Sequence, residues 1–234
     1  MKITFISDTH TKHRELTKDL PGGNVLIHSG DILNSGRIMS ELEDFCDWLI
    51  EDVKKIYEDI VIIAGNHDFL FENSKKDEAE KLVRDTGAFY LNDSGCEING
   101  VKFWGSPIQP AFFNWAFNRA RNEETANDPL DYHDHGCDLI KPHWDMIPED
   151  TDVLITHGPP YGVLDECKDG RKVGCEILME KVLEVKPKIH VFGHIHEQYG
   201  SVLGEDTTFI NASSLNRRYK YSNKPISLCL KMEK

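Results

Sequence analysis

Val61-Ile62-Ile63-Ala64-Gly65-Asn66-His67-Asp68 is the segment that decides the fold class of this chain. Four small or branched apolar residues in a row are typical of a strand that is buried on both faces of a parallel sheet. A glycine then ends the run and is followed by three polar side chains that can bind a metal or move a proton. Open α/β sheets gather their functional groups at the carboxyl ends of strands. Taken alone, the four residues from Gly65 to Asp68 could equally form an ordinary turn.

The same arrangement recurs four more times along the chain. Short apolar runs end in Asp or His at residues 3–7 before Asp8 and His10, 25–29 before Asp31, 153–156 before His157, and 189–192 before His194 and His196. Any one of these polar residues is more often structural than a ligand. Together they indicate a metal site, because buried strand ends seldom collect so many polar groups without a ligand.

Length and charge limit the classes of protein to consider. The chain has 234 residues, 39% hydrophobic content, and 27 basic against 40 acidic residues, for a net charge of −13. We expect one globular domain over residues 1–234, with a long substrate loop at about 105–148. The acidic balance disfavours an extended nucleic-acid surface but does not disfavour a small phosphate ester held by metal ions.

Cysteine spacing and the lack of long apolar runs predict where in the cell the protein is found. The six cysteines include no CxxC pair, which is typical of reduced thiols rather than of a disulfide framework. No apolar run approaches the roughly 18 residues of a membrane-spanning helix, and the N-terminal residues do not resemble a secretion signal. We therefore expect a cytoplasmic protein with no membrane partner.

Periodicity predicts helices and antiparallel ribbons around the five strands. Helices are expected at 42–56, at 75–85 with Ser74 as the N-cap, and at 176–185. Asn99-Gly100 predicts a hairpin, a second hairpin is expected at 199–210, and 226–230 should form an edge strand. The change from parallel crossovers to antiparallel ribbons favours a second sheet over a second domain.

The chemistry of the polar residues indicates which metals suit the site. The predicted ligands offer nitrogen and oxygen atoms and no thiolate: Asp8, His10, Asp31, Asn66, His157, His194 and His196. Such a set suits Mn²⁺, Fe or Zn²⁺. Seven donors are too many for one ion, and a carboxylate can bridge two ions about 3.5–4 Å apart, a spacing used for displacement at phosphorus.

The order and spacing of these motifs resemble the calcineurin-like metallophosphoesterase superfamily. The resemblance extends from residue 3 to about residue 216 and rests on Asp8-x-His10, Gly30-Asp31, Gly65-Asn66-His67-Asp68, His157 and Gly193-His194-x-His196. Segments 105–107, 115–117, 156–160 and 211–216 further resemble the metallophosphoesterase domain-containing (MPPED-type) phosphodiesterases. Ile108 departs from that type, in which an aromatic residue is expected.

The resemblance implies a fold and a division of roles. The fold would be a four-layer α-β-β-α sandwich of two mixed β-sheets flanked by helices. One ion would be held by Asp8, His10, Asp31 and His196, and the second by Asp31, Asn66, His157 and His194. Asn66 and His67 would stabilise the transition state, His67 would protonate the leaving group, and Asp68 would orient His67 through its other ring nitrogen.

The implied activity is that of a dinuclear-metal-dependent phosphoesterase. It would hydrolyse small phosphodiesters (cyclic or other nucleotides among them) and monoesters by attack of a metal-bridging hydroxide. Mn²⁺ is the first choice of ion, with Fe, Zn²⁺, Mg²⁺, Co²⁺ and Ni²⁺ as alternatives. A non-catalytic metal-binding scaffold or regulatory protein, and a nuclease, remain alternative functions. The sequence leaves the oligomeric state open.

Other side chains have two competing interpretations each. Phe112 and Trp115 would either contact substrate or belong to the core, and Arg217 would contact phosphate or be solvated. Residues 131–137 look metal-like, although a solvated loop is favoured. Of the remaining histidines, we expect His28 and His190 to be buried and His13 and His143 to lie at the surface.

Overall fold

The computed structural model describes residues 1–34, 36–128, 130 and 136–231. The metal-like segment at 131–137 therefore lies, except for its last two residues, outside the described residues. The strands are β1 (Lys2–Ile6), β2 (Gly23–Ser29), β3 (Tyr57–Ile63), β4 (Phe89–Tyr90), β5 (Ser94–Ile98), β6 (Val101–Ser106), β7 (Gln109–Pro110), β8 (Asn118–Arg119), β9 (Val153–Thr156), β10 (Ile189–Phe192), β11 (Gly200–Leu203), β12 (Thr208–Asn211) and β13 (Ile226–Cys229). The helices are α1 (His13–Leu16), α2 (Met39–Glu51), α3 (Lys76–Asp85), α4 (Glu123–Asn127), α5 (Lys141–Asp145) and α6 (Glu176–Val185).

Two large mixed sheets form the centre of the fold. The first has the order β13-β1-β2-β3-β4, and the second has the order β11-β12-β10-β9-β6-β5. Strands β1 to β4 run parallel, as do β6, β9, β10 and β12, whereas β5, β11 and β13 pair antiparallel at the edges. The predicted class of two mixed sheets flanked by helices is confirmed, and both predicted hairpins and the edge strand are present.

Strand β3 shows why the decisive segment is apolar on both faces. Val61 and Ile63 pack between the two sheets, against residues of β6, β9 and β10. Ile60 and Ile62 point the other way, into the cluster that contains the buried side chains of α2. A strand with two buried faces needs apolar residues at every position, which explains the continuous run in the sequence.

Two of the helix predictions need correction at their ends. Helix α2 ends at Glu51, and Val53–Lys55 forms a separate 3-10 turn, so the predicted helix at 42–56 is two elements. Helix α3 begins after Lys75 and has no side-chain cap, so the prediction that Ser74 caps it is wrong. Asn73 instead accepts the backbone N–H of Lys75 through its side chain, at 2.8 Å, and this contact shapes the turn before the helix.

The segment at 105–148 is partly regular. Strands β7 and β8 pair in parallel, Ala120 bridges to Leu139, and Trp144 of α5 is buried. Helix α5 packs against α6, so this end of the segment joins the core cluster. Among the described residues, no helix is long and apolar enough to cross a membrane.

Candidate metal centre

The predicted ligands lie at the carboxyl ends of parallel strands from both sheets. Asp8, Asp31 and Asn66 follow β1, β2 and β3, while His157 and His194 follow β9 and β10. The two sheets meet at this edge through a bridge between Ser7 and Ser213, in which Ser214 donates its backbone N–H to the carbonyl of Ser7 at 2.8 Å. The strand ends of one sheet therefore face those of the other.

Asp31 lies between two groups of potential ligand atoms. Its Oδ2 is 3.7 Å from Nε2 of His10 and 3.4 Å from Nε2 of His157. On one side, Asp8, His10 and His196 have ligand atoms within 4.8 Å of one another, and on the other side Asp31, His157 and His194 do. The arrangement fits two neighbouring cations with one carboxylate shared between them.

Backbone carbonyls fix the orientation of the histidine rings. Nδ1 of His10 lies 3.1 Å from the carbonyl of Leu33, Nδ1 of His157 lies 3.0 Å from that of Ser29, and Nδ1 of His196 lies 3.3 Å from the carbonyl of the residue at 216. Because a carbonyl oxygen can only accept, each Nδ1 carries the hydrogen. Each Nε2 faces a carboxylate, and without a hydrogen of its own it offers a lone pair to a metal ion, as in ligated histidines.

Burial and charge favour a cation at this position. Burial raises the pKa of both Asp8 and Asp31, but the surrounding histidines outweigh it and hold both pKa values below their ordinary range. Burial lowers the pKa of His10 to about 4 and that of His194 to about 3, so both rings are neutral. Burial also acts to lower the pKa of His157, but Asp31 and Asp8 outweigh it and raise that pKa to about 9, so without an ion this ring is protonated. Nε2 of His10 is buried and has no hydrogen-bond partner among the described residues. An ion would give this atom a partner and balance the two carboxylates.

Backbone geometry marks the same positions. Four of the predicted ligands have left-handed φ angles, namely Asp8 at 51°, His10 at 41°, Asp31 at 54° and His194 at 67°. Such angles are uncommon for residues other than glycine, and they cluster at functional sites where the surrounding structure enforces them. The strand-end loops are thus bent to bring these side chains inward.

Two of the motif glycines leave room for the carboxylates. A Cβ at Gly193 would lie 2.1 Å from Oδ2 of Asp8, and one at Gly65 would lie 2.3 Å from Oδ1 of Asp31. Both distances are far below van der Waals contact. Glycine is required at these positions because the acidic ligands pack directly against the backbone.

The role expected of Asp68 is wrong in one respect. Nδ1 of His67 lies 2.7 Å from the carbonyl of Asn34, whereas both oxygens of Asp68 accept backbone N–H groups, from Ile32, Leu33 and Gly65 at 2.8–3.1 Å. The chain turns into a 3-10 helix after Asp68, so these adjacent side chains point in different directions. Asp68 therefore holds the loop after β2, and that loop supplies the carbonyl that orients His67.

Comparison with known proteins agrees with this geometry. The family model described as calcineurin-like phosphoesterase matches residues 1–198. This chain belongs to the calcineurin-like phosphoesterase family. Human metallophosphoesterase domain-containing protein 1 is 36% identical to it, over 98% of this chain and 71% of the human protein. A UPF0046 protein of Caenorhabditis elegans is 35% identical, over 97% of this chain and 74% of its own length.

A solved structure supports the fold independently. The crystal structure of TT1561 of Thermus thermophilus superposes with a TM-score of 0.58 at 13% identity, covering 97% of each chain. The family model and the two relatives confirm the resemblance to the superfamily and to the metallophosphoesterase domain-containing type. Calcineurin-like phosphoesterases typically depend on divalent metal ions, and the candidate His and Asp groups are present here.

Of the three predicted substrate contacts of this calcineurin-like phosphoesterase, the two aromatic residues contact candidate site residues and Arg217 does not. Trp115 stacks on the ring of His67 with 4.3 Å between centroids, and Phe112 lies edge-on to His194 at 5.2 Å. Arg217 forms an ion pair with Glu197, Nε to Oε1 at 2.9 Å, and is half exposed. The two aromatic residues therefore flank the candidate centre, whereas Arg217 is engaged with Glu197. Ile108 is buried in the core cluster.

Sequence reasoning missed two residues at the centre. The ring of Tyr219 lies 4.8 Å from that of His10 and 5.2 Å from that of His196. Ser213 donates its hydroxyl hydrogen to Oδ2 of Asp8 at 2.9 Å. The segment 211–216 drew attention as a family likeness, but nothing in it indicated a contact with Asp8, and no pattern pointed to Tyr219.

The predicted burial of the other histidines is correct for two residues and wrong for two. His28 and His190 are buried as expected, and their Nε2 atoms each lie 2.9 Å from a threonine hydroxyl. His13 is not at the surface: it is fully buried against Phe45, because the short helix α1 packs on α2. His143 is also largely covered, with Nδ1 2.7 Å from a carboxylate oxygen of Asp93.

Proposed function

We propose that this chain is a metal-dependent phosphoesterase that hydrolyses small phosphodiesters, including nucleotides, and also monoesters. The observation that carries the proposal is the pair of His and carboxylate groups on either side of Asp31, whose Oδ2 lies 3.7 Å from Nε2 of His10 and 3.4 Å from Nε2 of His157. One ion would be held by Asp8, His10, Asp31 and His196, and the other by Asp31, Asn66, His157 and His194. When bound, the two ions would activate water and neutralise the phosphoryl charge, with Mn²⁺ the best match to the mixed donors.

His67 is the residue to which we assign the movement of a proton. Its Nδ1 is fixed as a donor by the carbonyl of Asn34, so its Nε2 is the atom that can carry and release a second hydrogen. A ring nitrogen of His67 lies within 4.8 Å of ligand atoms of His10 and Asp31, and the stacked ring of Trp115 holds its plane. We infer that Nε2 protonates the departing alkoxide.

Asn66 has a supporting role in the same proposal. Its Oδ1 lies 3.0 Å from Nε2 of His157, and this distance supports assigning the carboxamide to the second ligand group. The Nδ2 of the same side chain is then available to donate to a phosphoryl oxygen in the transition state. The net charge of −13 favours small esters over nucleic-acid polymers as substrates.

The test compares bis-p-nitrophenyl phosphate with p-nitrophenyl phosphate, in Mn²⁺ and after chelation, with the metal content measured in parallel. We expect chelator-sensitive cleavage of the diester. His67→Ala should keep both ions and lower turnover by roughly 10²–10⁴-fold, as expected for loss of a general acid. His143→Ala removes an imidazole outside both ligand groups and should leave turnover unchanged.

Each contrary outcome indicates a different function. Two bound ions without cleavage of either ester would favour the metal-binding scaffold. Cleavage of polymers but not of dinucleotides, with strong salt dependence, would favour a nuclease. Unchanged turnover in His67→Ala would remove His67 from the mechanism and leave the metal site untouched.

A further inference from the structure

Two buried histidines interrupt the apolar runs of the central strands. His28 lies in β2 and His190 lies in β10, and both side chains are closed to solvent. Positions of this kind favour apolar residues, which need no hydrogen-bond partner. In each ring, Nδ1 is buried and has no hydrogen-bond partner among the described residues. A leucine would avoid this unfavourable arrangement, so we expect the imidazoles to supply something that an apolar side chain cannot.

The other ring nitrogen of His190 contacts a threonine beside a candidate metal ligand. Nε2 of His190 lies 2.9 Å from the hydroxyl of Thr156, the residue before His157. That hydroxyl donates its only hydrogen to the carbonyl of Gly158 at 2.7 Å, so the bond closes around the backbone of His157. The oxygen of Thr156 is then left to accept, and Nε2 of His190 must carry a hydrogen. Burial lowers the pKa of His190 to about 3, so the neutral ring has no second hydrogen for Nδ1.

A second pair of the same composition lies in the first sheet. Nε2 of His28 lies 2.9 Å from the hydroxyl of Thr9, and this hydroxyl reaches the carbonyl of Ile32 at 3.5 Å. Thr9 separates Asp8 from His10 in the chain, and both of these residues have left-handed φ angles, of 51° and 41°. Such angles persist where neighbouring contacts enforce them. The contact with His28 therefore ties the bend that carries two candidate ligands to strand β2.

We propose that His28 and His190 are positioning residues, each of which holds the threonine of one half of the candidate metal centre. His28 acts on the ion assigned to Asp8 and His10, and His190 acts on the ion assigned to His157. In each half the imidazole fixes the direction of the threonine hydroxyl, and through it the backbone that carries the ligands. The assignment of ligands to the two ions rests on the proposed function.

The first experiment titrates the metal-free protein with Mn²⁺ and measures the affinity for each ion. Thr156→Val keeps the shape of the side chain and removes the hydroxyl, and His190→Leu removes the donor. Each should bind one ion about tenfold more weakly and the other as the wild type does, because groups that orient metal ligands contribute roughly 10–100-fold in affinity. His190→Gln carries an amide hydrogen that can replace that of Nε2 and should restore most of the affinity. Thr9→Val should weaken the other ion instead.

Thr86→Val is the matched control for the loss of a buried threonine hydroxyl. Thr86 is buried at the end of α3, and its hydroxyl donates to the carbonyl of Val83 at 2.7 Å, but it belongs to neither ligand group. This variant should lose stability to urea as Thr156→Val does and bind both ions with wild-type affinity. Equal weakening of metal binding in the two variants would assign the effect to a general loss of stability and overturn the proposal.

The hydrogen on the ring gives a second readout, which does not depend on affinity. Nuclear magnetic resonance of the isotope-labelled, Zn²⁺-loaded protein identifies the ring nitrogen that carries it. We expect the Nε2–H form for His190, opposite to the Nδ1–H form of His157. The Nδ1–H form of His190 would contradict the proposed contact with Thr156.

The outcomes separate this inference from the proposed function. Unchanged metal affinity in Thr9→Val, Thr156→Val and His190→Leu would overturn it even in a protein that cleaves esters. Weakening of both ions by the same factor in Thr156→Val would refute the assignment of one histidine to each half. Selective weakening in a protein that cleaves no ester would support the positioning histidines and overturn the phosphoesterase proposal. If His190→Leu fails to fold, Thr156→Val decides the matter.

Discussion

Replacing Gly193 by alanine tests whether the carboxylate of Asp8 is a metal ligand. The added Cβ would lie 2.1 Å from Oδ2 of Asp8 and 2.1 Å from Oγ of Ser7, where ordinary contact begins at 3.4 Å. The carboxylate would have to move by about 1.3 Å. It cannot do so freely, because Oδ2 accepts the backbone N–H of His194 at 3.0 Å and the hydroxyl of Ser213 at 2.9 Å.

The expected result is loss of metal from one of the two groups. A displacement of about 1 Å at a reacting group can lower the rate by about 10²-fold. We therefore expect Gly193→Ala to retain at most one of two ions and to hydrolyse the aryl diester at least about 10² times more slowly. Overpacking in a buried region should also lower its free energy of unfolding by about 1–3 kcal/mol.

Metal analysis of the folded variant and diester hydrolysis are the two assays. Gly158→Ala is the matched control for metal content, since Gly158 also adjoins a predicted ligand but its Cβ would meet only the Cβ of Gln109, at 3.7 Å. Two ions and full turnover in Gly193→Ala would refute the assignment of Asp8. Loss of metal from Gly158→Ala as well would show that crowding of the carboxylate is not the cause.

Three other changes have expected outcomes. Asp68→Asn replaces an acceptor of backbone N–H groups with an amide, so the free energy of unfolding in urea should fall by about 1–3 kcal/mol; an unchanged value would contradict the contacts described. Ser213→Ala removes one of the hydrogen bonds to Asp8 and should weaken metal binding by about 10–100-fold in a titration with Mn²⁺, with equal affinity arguing against a supporting role. Burial lowers the pKa of His190 from 6.5 to about 3. Between these pH values the folded protein keeps the ring neutral, whereas the unfolded chain binds a proton. The free energy of unfolding therefore has its full value above pH 6.5 and falls as the pH is lowered toward 3. His190→Leu should reduce the loss of stability between pH 7 and pH 5 by about 2 kcal/mol, and equal losses in both proteins would refute this account.

Local features of the sequence explain why the strands, and the position of the candidate ligands at their ends, could be predicted. In β3 the apolar run and the polar residues that end it are contiguous, so Asn66 can be assigned to a strand end without knowledge of the rest of the fold. The same holds for Asp31 after β2. Parallel strands then bring such ends to one edge, whatever the loops between them do.

Contacts that depend on the direction of a side chain could not be predicted. Asp68 is adjacent to His67 in sequence, yet the 3-10 turn that begins after it sends its carboxylate to the loop after β2. His13 lies in a polar segment, but packing of α1 on α2 buries it completely. Tyr219 reaches the site from a loop with a left-handed φ of 53°, and its neighbours in sequence give no indication of this.

The division of ligands between the sheets links metal binding to folding. Of the candidate ligands, the first sheet contributes the two aspartates and Asn66, and the second contributes His157 and His194. These residues meet only when the sheets pack through the apolar layer between them. The left-handed angles at Asp8 and Asp31 are unfavourable by themselves and depend on that packing. An unfolded chain therefore has no preformed site. Ions that bind the folded state alone stabilise it by mass action, about 2.7 kcal/mol at a hundred times the dissociation constant. Bound metal would thus act as a crosslink between the two sheets, at the edge where the apolar layer ends and the charged groups begin.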